Sequence, residues 1–270
     1  TKLIQGCYNY MFTDCTALVT APELPATTLA SNCYNMMFNG CTSLTTAPEL
    51  PATTLVSFCY NTMFSGCTSL TSITIPDSVT SIGNSVFQNC TSLKSIVIPD
   101  SVASISSSAF SGCTSLENVK IGNGVKTISS KAFYNCTSLT NAVLPDDTEA
   151  IGKEAFYGCE KLIEINVPKS ITTINEGTFF GCTSLRNVSI PEGVTSIGAD
   201  AFRKCTRLEA VSLPNTLTTL DAGCFYGCTS LKGAVIPENV TSIGKSAFYG
   251  CKALLRVVIG NKVKIISSFA

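Results

Sequence analysis

Cysteine is the residue type with most capacity for chemistry in this chain: there are fifteen, with no histidine in 270 residues. Eleven share one register: Cys15, Cys41 and Cys67 are 26 apart, and Cys90, Cys113, Cys136, Cys159, Cys182, Cys205, Cys228 and Cys251 continue at intervals of 23. Without histidine a mixed Cys/His zinc site is ruled out, and only an all-thiolate site remains. Cys224 and Cys228 have the spacing of a redox pair. Cys224, however, stands in the column of Ala109, Ala132, Ala155, Ala201 and Ala247, so a core substitution is the simpler reading. Neighbouring copies in a parallel stack lie about 4.7–4.9 Å apart, which holds equivalent Cβ atoms beyond the mean of about 3.8 Å found in disulfides. The register is therefore expected to hold reduced, buried thiols that act as small hydrophobes.

The acidic residues offer less. Asp146, Asp147 and Glu149 flank Thr148, which stands where other copies place Val or Ile. A cation site needs converging oxygens, and a solvated turn is the favoured reading. Neither Gly-x-Ser-x-Gly nor a phosphate loop is present, so triad and nucleotide chemistry lack their parts. Eighteen acids leave a glycosidase-type carboxylate pair open in principle. No cofactor is implied. Eighteen basic residues balance the acids and charged residues make up only 13% of the chain, which argues against nucleic acid as a partner. No apolar run reaches the roughly 18 residues needed to cross a bilayer, so no membrane insertion is expected in this segment.

The elements that carry the cysteines repeat with them. Phe stands three positions before each register cysteine, from Phe12 to Phe248, and Leu three positions after, from Leu18 to Leu254. A period of 20 to 29 residues with Leu-x-x-Leu-x-Leu spacing marks a leucine-rich solenoid, in which no copy buries its apolar face alone. The expected fold is an α/β repeat solenoid, a right-handed leucine-rich repeat with a parallel β-sheet on its concave face. Residues 1–270 form one solenoid, with mainly 26-residue copies over 1–70 and 23-residue copies over 71–270.

Each copy divides into three sides. In Leu93–Pro99, Ile96 and Ile98 alternate with Ser95 and Val97 as in a short strand, and Pro99 ends it. Gly122 and Gly260 replace that proline in two copies. Val102 and Ile105 define an extended second side. The third side, around Ala109 and Phe110, is expected to form one or two helical turns held by packing. The residue before each register cysteine is Gly, Asn or Asp, types that accept a left-handed cap, except at Lys204, where strain is expected.

The first copies carry Ala-Pro-Glu-Leu-Pro-Ala-Thr-Thr-Leu at residues 21–29 and 47–55, which should widen the side after the strand. In these copies Cys7, Cys33 and Cys59 replace core aliphatics, and Met11, Met37 and Met63 replace the small residue before Phe. Leu3 aligns with Leu29, and Ser268-Phe269-Ala270 stops short of the next cysteine. No polar capping copy is visible, so the parent protein is expected to extend further.

The phrases Ile-Pro-Asp-Ser-Val-Thr-Ser-Ile-Gly (75–83), Ala-Phe-Tyr-Gly-Cys (155–159 and 247–251) and Cys-Thr-Ser-Leu resemble the BspA-like leucine-rich repeats of bacterial surface proteins, also called the Treponema pallidum type. The resemblance implies a secreted or surface-anchored bacterial protein. Adhesion to host proteins or other bacteria has been proposed for some members, and the family offers no catalytic motif.

Two surfaces could bind a partner. The position after the repeated Phe is polar in the first five copies and then becomes Tyr134, Tyr157, Phe180, Arg203, Tyr226 and Tyr249. Stacking would align these as an aromatic stripe with one arginine, a composition resembling binding hot spots. Equally, such rings can simply cover their neighbours. The outward strand residues Val97, Lys120, Val143, Asn166, Ser189, Ser212, Val235 and Val258 form the second surface, flanked by charges from Lys94 to Arg256. The expected function is non-catalytic binding or adhesion, with host or bacterial surface proteins or glycans as partners and the protein a monomer. An architectural spacer and an unrecognised hydrolase are the alternatives.

Overall fold

A computed structural model describes residues 5–24, 26–50 and 60–270. The chain winds as a parallel β-solenoid, each copy forming one rung.

The first side carries the strand predicted after the repeated Leu. Ser95–Ile98 pairs in parallel with Asn118–Ile121, then Asn141–Ala142 and Glu164–Ile165; Asn187–Ser189 pairs with Ala210–Ser212, and Gly233–Ile236 with Arg256–Ile259. The register advances by one copy per rung, with Ser95 opposite Asn118 and Ile98 opposite Ile121. Alternation drives this side: in Ser95–Ile98 the two isoleucines are buried while Ser95 and Val97 are exposed. The second side is a row of two-residue strands, Ser81–Ile82, Ser104–Ile105, Thr127–Ile128 and Ala150–Ile151, followed by Thr173–Ile174, Ser196–Ile197, Thr219–Leu220, Ser242–Ile243 and Ile265–Ile266.

The third side departs from expectation. Among the described residues it contains no helix; it is a run of β-turns. In one copy the amides of Ala109, Ser111 and Cys113 bond back to the carbonyls of Ser106, Ser108 and Phe110, whereas the intervening amides of Ser108, Phe110 and Gly112 donate to Ser130, Ala132 and Tyr134 of the next rung. A helix needs consecutive amides to bond within the segment. Here every second one ties two rungs together. Positive φ at Ser108 (57°) and Gly112 (76°) also breaks any right-handed helix. The left-handed cap before the cysteine is present in all eleven copies, including Lys204 at φ 60°, which holds with a side chain a conformation suited to glycine.

The core is built of columns. Phe12 to Phe248 stack face to face, with centroids from 5.2 Å (Phe110–Phe133) to 5.9 Å (Phe64–Phe87). Leu, Cys and the second-side Ile fill the space beside them. Cys33, Met37 and Met63 are buried in the positions assigned to them, while Met11, on the first rung, is exposed. Cys59, Leu3, Pro25 and residues 51–55 of the long insert lie outside the described residues. Where the long copies are described, Thr20, Thr46 and Ser72 pair only through isolated bridges, and Leu24, Ala26, Leu29 and Leu50 of the inserts are buried.

Candidate binding surfaces

The turn side fixes the aromatic stripe through its backbone. The amide of each stripe residue bonds three residues back, as Tyr157 to Glu154, while its carbonyl accepts the cap amide of the preceding rung, as Tyr157 from Asn135 at 2.7 Å. With both backbone groups engaged, the side chains fall into line at the pitch of the rungs. Tyr134 and Tyr157 stack at 4.7 Å, Tyr157 and Phe180 at 4.4 Å, and Tyr226 and Tyr249 at 5.1 Å. The Arg203 guanidinium bridges the two stacks, 4.3 Å from the Tyr226 centroid and 5.8 Å from Phe180. Its Nη1 donates to Asp200 at 3.3 Å, and its buried Nε has no partner.

The six predicted stripe residues are thus brought together, and their ring faces cover one another. What they offer outward is ring edges and phenol hydroxyls, with Tyr249 half exposed. Burial, and after it the neighbouring Tyr134, pushes the Tyr157 phenol above its ordinary value, so it remains a hydroxyl donor.

The first side carries a groove of about 490 Å³ lined by residues from Asn141 to Ser189. Its origin is local. The side-chain amide of Asn166 accepts from the Leu144 amide at 2.8 Å and donates to the Leu144 carbonyl at 2.7 Å, taking the place of strand-to-strand backbone bonds. Pairing between these rungs stops at Ala142 and Ile165, and the strand ends part. Val143 (71% exposed) and Ile163 (49%) border the opening, with Glu164 and Arg186 beside them. A second groove of about 470 Å³, running from Val119 to Pro145, shares Val143 and Asn166. Ile163 was not singled out from the sequence, although an aliphatic in the column of Lys94, Glu117, Thr140, Arg186 and Glu209 was a signal that could have found it.

Farther along this face Glu209 joins Lys232 at 2.6 Å and Arg186 at 3.7 Å. The hydrogen bond and charge of Lys232, then the charge of Arg186, hold its carboxyl below the usual range. Such exposed pairs are screened by water and give the face mixed charge rather than a field of one sign.

The cysteine register has more order than a row of fillers. Each thiol from Cys41 to Cys251 donates to the carbonyl of the Phe in the preceding rung, at 3.0 Å for Cys113 to Phe87 and 3.3 Å for Cys182 to Phe156. All the described cysteines are free, and the register is buried from Cys41 onward. Burial pushes the thiols up, to about 12 for Cys113 and Cys205, so they stay protonated at neutral pH, whereas it is the thiolate that attacks and ligates. Cys224 is likewise buried and raised. Asp147 pairs with Lys126 at 3.1 Å on the surface, and Thr148 is buried with its hydroxyl on the Val125 carbonyl at 2.9 Å. Among the described residues no three His, Cys, Asp or Glu side chains converge as metal ligands, and no helix is long and apolar enough to cross a membrane.

Known proteins match this arrangement. The model of the BspA type leucine rich repeat region, in six copies, matches residues 57–183 and 149–270. A leucine-rich repeat protein from Bacteroides ovatus is 35% identical over 76% of this chain, with a TM-score of 0.69; the match takes in 54% of that protein, so this chain spans about half its length. A leucine rich cell surface protein from Faecalibacterium prausnitzii is 26% identical, covering 86% of this chain and 75% of its own, with a TM-score of 0.51. The leucine rich repeat protein of T. pallidum is 30% identical over 66% of this chain and 72% of its own, with a TM-score of 0.46. A comparison with curated proteins found no match. The repeated Phe, Cys and Leu columns, the stacked parallel rungs and the family match over residues 57–270 agree: the chain belongs to the BspA-type leucine-rich repeat family.

Proposed function

We propose that this protein is a non-catalytic binding scaffold at the cell surface or outside the cell, recognising a protein or glycan through the first-side groove around Val143, Ile163 and Asn166. The observation that carries this reading is the groove itself, where the first-side strands part beyond Ala142 and Ile165 and two aliphatic side chains stand exposed beside Glu164 and Arg186. Apolar anchors rimmed by charge are how macromolecular interfaces are composed. The cell-surface description of the Faecalibacterium relative supports the location.

Changing both Val143 and Ile163 to Asp is expected to reduce capture of host matrix proteins or glycans on an array about tenfold or more, with thermal unfolding within a degree or two of the parent. Unchanged capture would remove the groove from the binding surface. If neither parent nor variant captured anything specifically, the protein would be a spacer.

The aromatic stripe is proposed as a second contact surface, on the observation that its ring edges and hydroxyls line up over successive rungs. Tyr249→Ser, at the exposed end, is expected to weaken capture with little change in unfolding. Tyr157→Ser removes two stacks and is expected to lower stability by about 1–3 kcal/mol in urea titration. Capture unaffected by either change would leave the stripe a purely structural ladder.

A further inference from the structure

We infer that the seam between the rung of Ala150–Ile165 and the rung of Thr173–Ser189 is a hinge, pivoting on the turn side and opening on the two strand sides. The inference does not require the groove to be the binding surface. It rests on which inter-rung bonds are present and which are missing.

On the second side every other seam from Thr80 to Lys264 is closed by the same two backbone bonds. One is the step from Lys126 to Ala103, repeated at Thr195 to Thr172; the other is the step from Gly152 to Ile128, repeated at Gly198 to Ile174. At this seam alone both are missing: neither Thr172 nor Asn175 donates its amide to the rung before. The Ile151 carbonyl is instead met by the Asn175 side chain at 2.7 Å. The strand row breaks at the same place, between Ala150–Ile151 and Thr173–Ile174. On the first side Glu164–Ile165 and Asn187–Ser189 also belong to separate sheets; the backbone bonds left there are Arg186 to Ile163 at 3.3 Å and, toward the turn side, Ser184 to Glu160 at 3.0 Å. Among the strands from Ser81 onward this is the one seam where both sides part.

The turn side, by contrast, is intact across the seam. Glu154, Phe156 and Gly158 donate to Glu176, Thr178 and Phe180 at 3.0, 2.9 and 2.7 Å. Tyr157 on Phe180, at 4.4 Å, is the tightest ring stack among the described residues, and Lys153 bridges to Glu176 at 2.9 Å. Moving inward from that edge the rungs spread: Phe156 and Phe179 stand 5.9 Å apart, against 5.3 Å on either side.

A cause is visible in the sequence of this rung. Thr178 stands in the column that holds Ala109, Ala132, Ala155, Ala201 and Ala247, buried completely, and its hydroxyl bonds the Asn175 carbonyl at 2.7 Å. The larger side chain and its local bond hold the Asn175 turn away from the rung before. A solenoid transmits force only between neighbours, so a seam bonded throughout its turn side and only sparsely on its two strand sides is where it bends. The groove from Asn141 to Ser189 lies at the mouth of that opening.

The test uses the full chain and a variant carrying both Asn175→Ser and Thr178→Ala, residues that other rungs hold at these positions. In hydrogen exchange the amides of Thr172 and Asn175 should exchange about tenfold or more faster than those of Thr195 and Gly198. The variant should slow them towards those values. Spin labels on unnatural residues at Val97 and Val235 should give a distance distribution that narrows in the variant. Equal protection at all four amides, or identical distributions in parent and variant, would overturn the hinge.

Discussion

Phe156→Ala is expected to lower the unfolding free energy by about 3–5 kcal/mol, measured by urea titration. The ring is fully buried and stacked between Phe133 at 5.3 Å and Phe179 at 5.9 Å. Its backbone ties its own turn to the next rung: the amide donates to the Thr178 carbonyl, and the carbonyl accepts both the Cys159 amide and the Cys182 thiol. Those bonds fix the distance between rungs, so the rungs cannot collapse into the space the ring leaves. The substitution therefore loses the transfer free energy of the ring and keeps the cavity. Phe12→Ala, made on the partly buried first rung, should cost distinctly less. A loss below about 1 kcal/mol at Phe156 would mean that the ring column does not hold the rungs together.

That column was legible in the sequence because a solenoid repeats its core requirement at every turn. Phe, Cys and Leu at fixed offsets can lie only on the inside when the copies stack. The outward alternation of Ser95 and Val97 was legible for the same reason. The turn side was not. Its bonds span three residues, like those of a tight helix, and Ala-Phe is compatible with one. What diverts alternate amides to the next rung is the presence of that rung, a partner no single copy displays. The left-handed residue four positions before the cap is glycine only at Gly177 and Gly223, and at positions such as Ser85, Ser108 or Lys131 no glycine announces it.

The candidate site was legible only in part. The stripe followed from the repeat register, but the register cannot tell whether rings turn faces or edges to solvent. Asn166 stands in a column of Val, Lys and Ser and looks like any solvated residue. Its effect arises because an amide side chain offers a donor and an acceptor together and can replace a backbone pair at Leu144. The repeat register predicts cysteines acting as small apolar fillers, and burial agrees. Their hydrogen bonds to the Phe carbonyls add a reason for cysteine in particular, since an alanine would leave those carbonyls without the donor.

The same thiols make the fold sensitive to alkali. Below pH 9 they are protonated in both folded and unfolded chains and add no pH dependence. Above the ordinary value of 9.0 the unfolded chain ionises, while burial holds Cys67, Cys113 and Cys205 protonated up to about 12. Cys90, Cys136 and Cys182 are raised well above 9.0 by the same cause. The unfolded state then binds fewer protons than the folded one, so stability falls as pH rises through this window. Each fully ionising thiol contributes a slope of about 1.4 kcal/mol per pH unit, and six together reach about 8, comparable with the whole stability of a domain. The protein, kept reduced, is expected to unfold steeply between about pH 9 and 11. Tyrosines and lysines also titrate there, so the decisive measurement is a difference. Replacing Cys113, Cys136 and Cys159 by Ala should lower the slope of unfolding free energy against pH by about three protons, or about 4 kcal/mol per pH unit. Equal slopes in parent and variant would show that the buried register is not what alkali attacks.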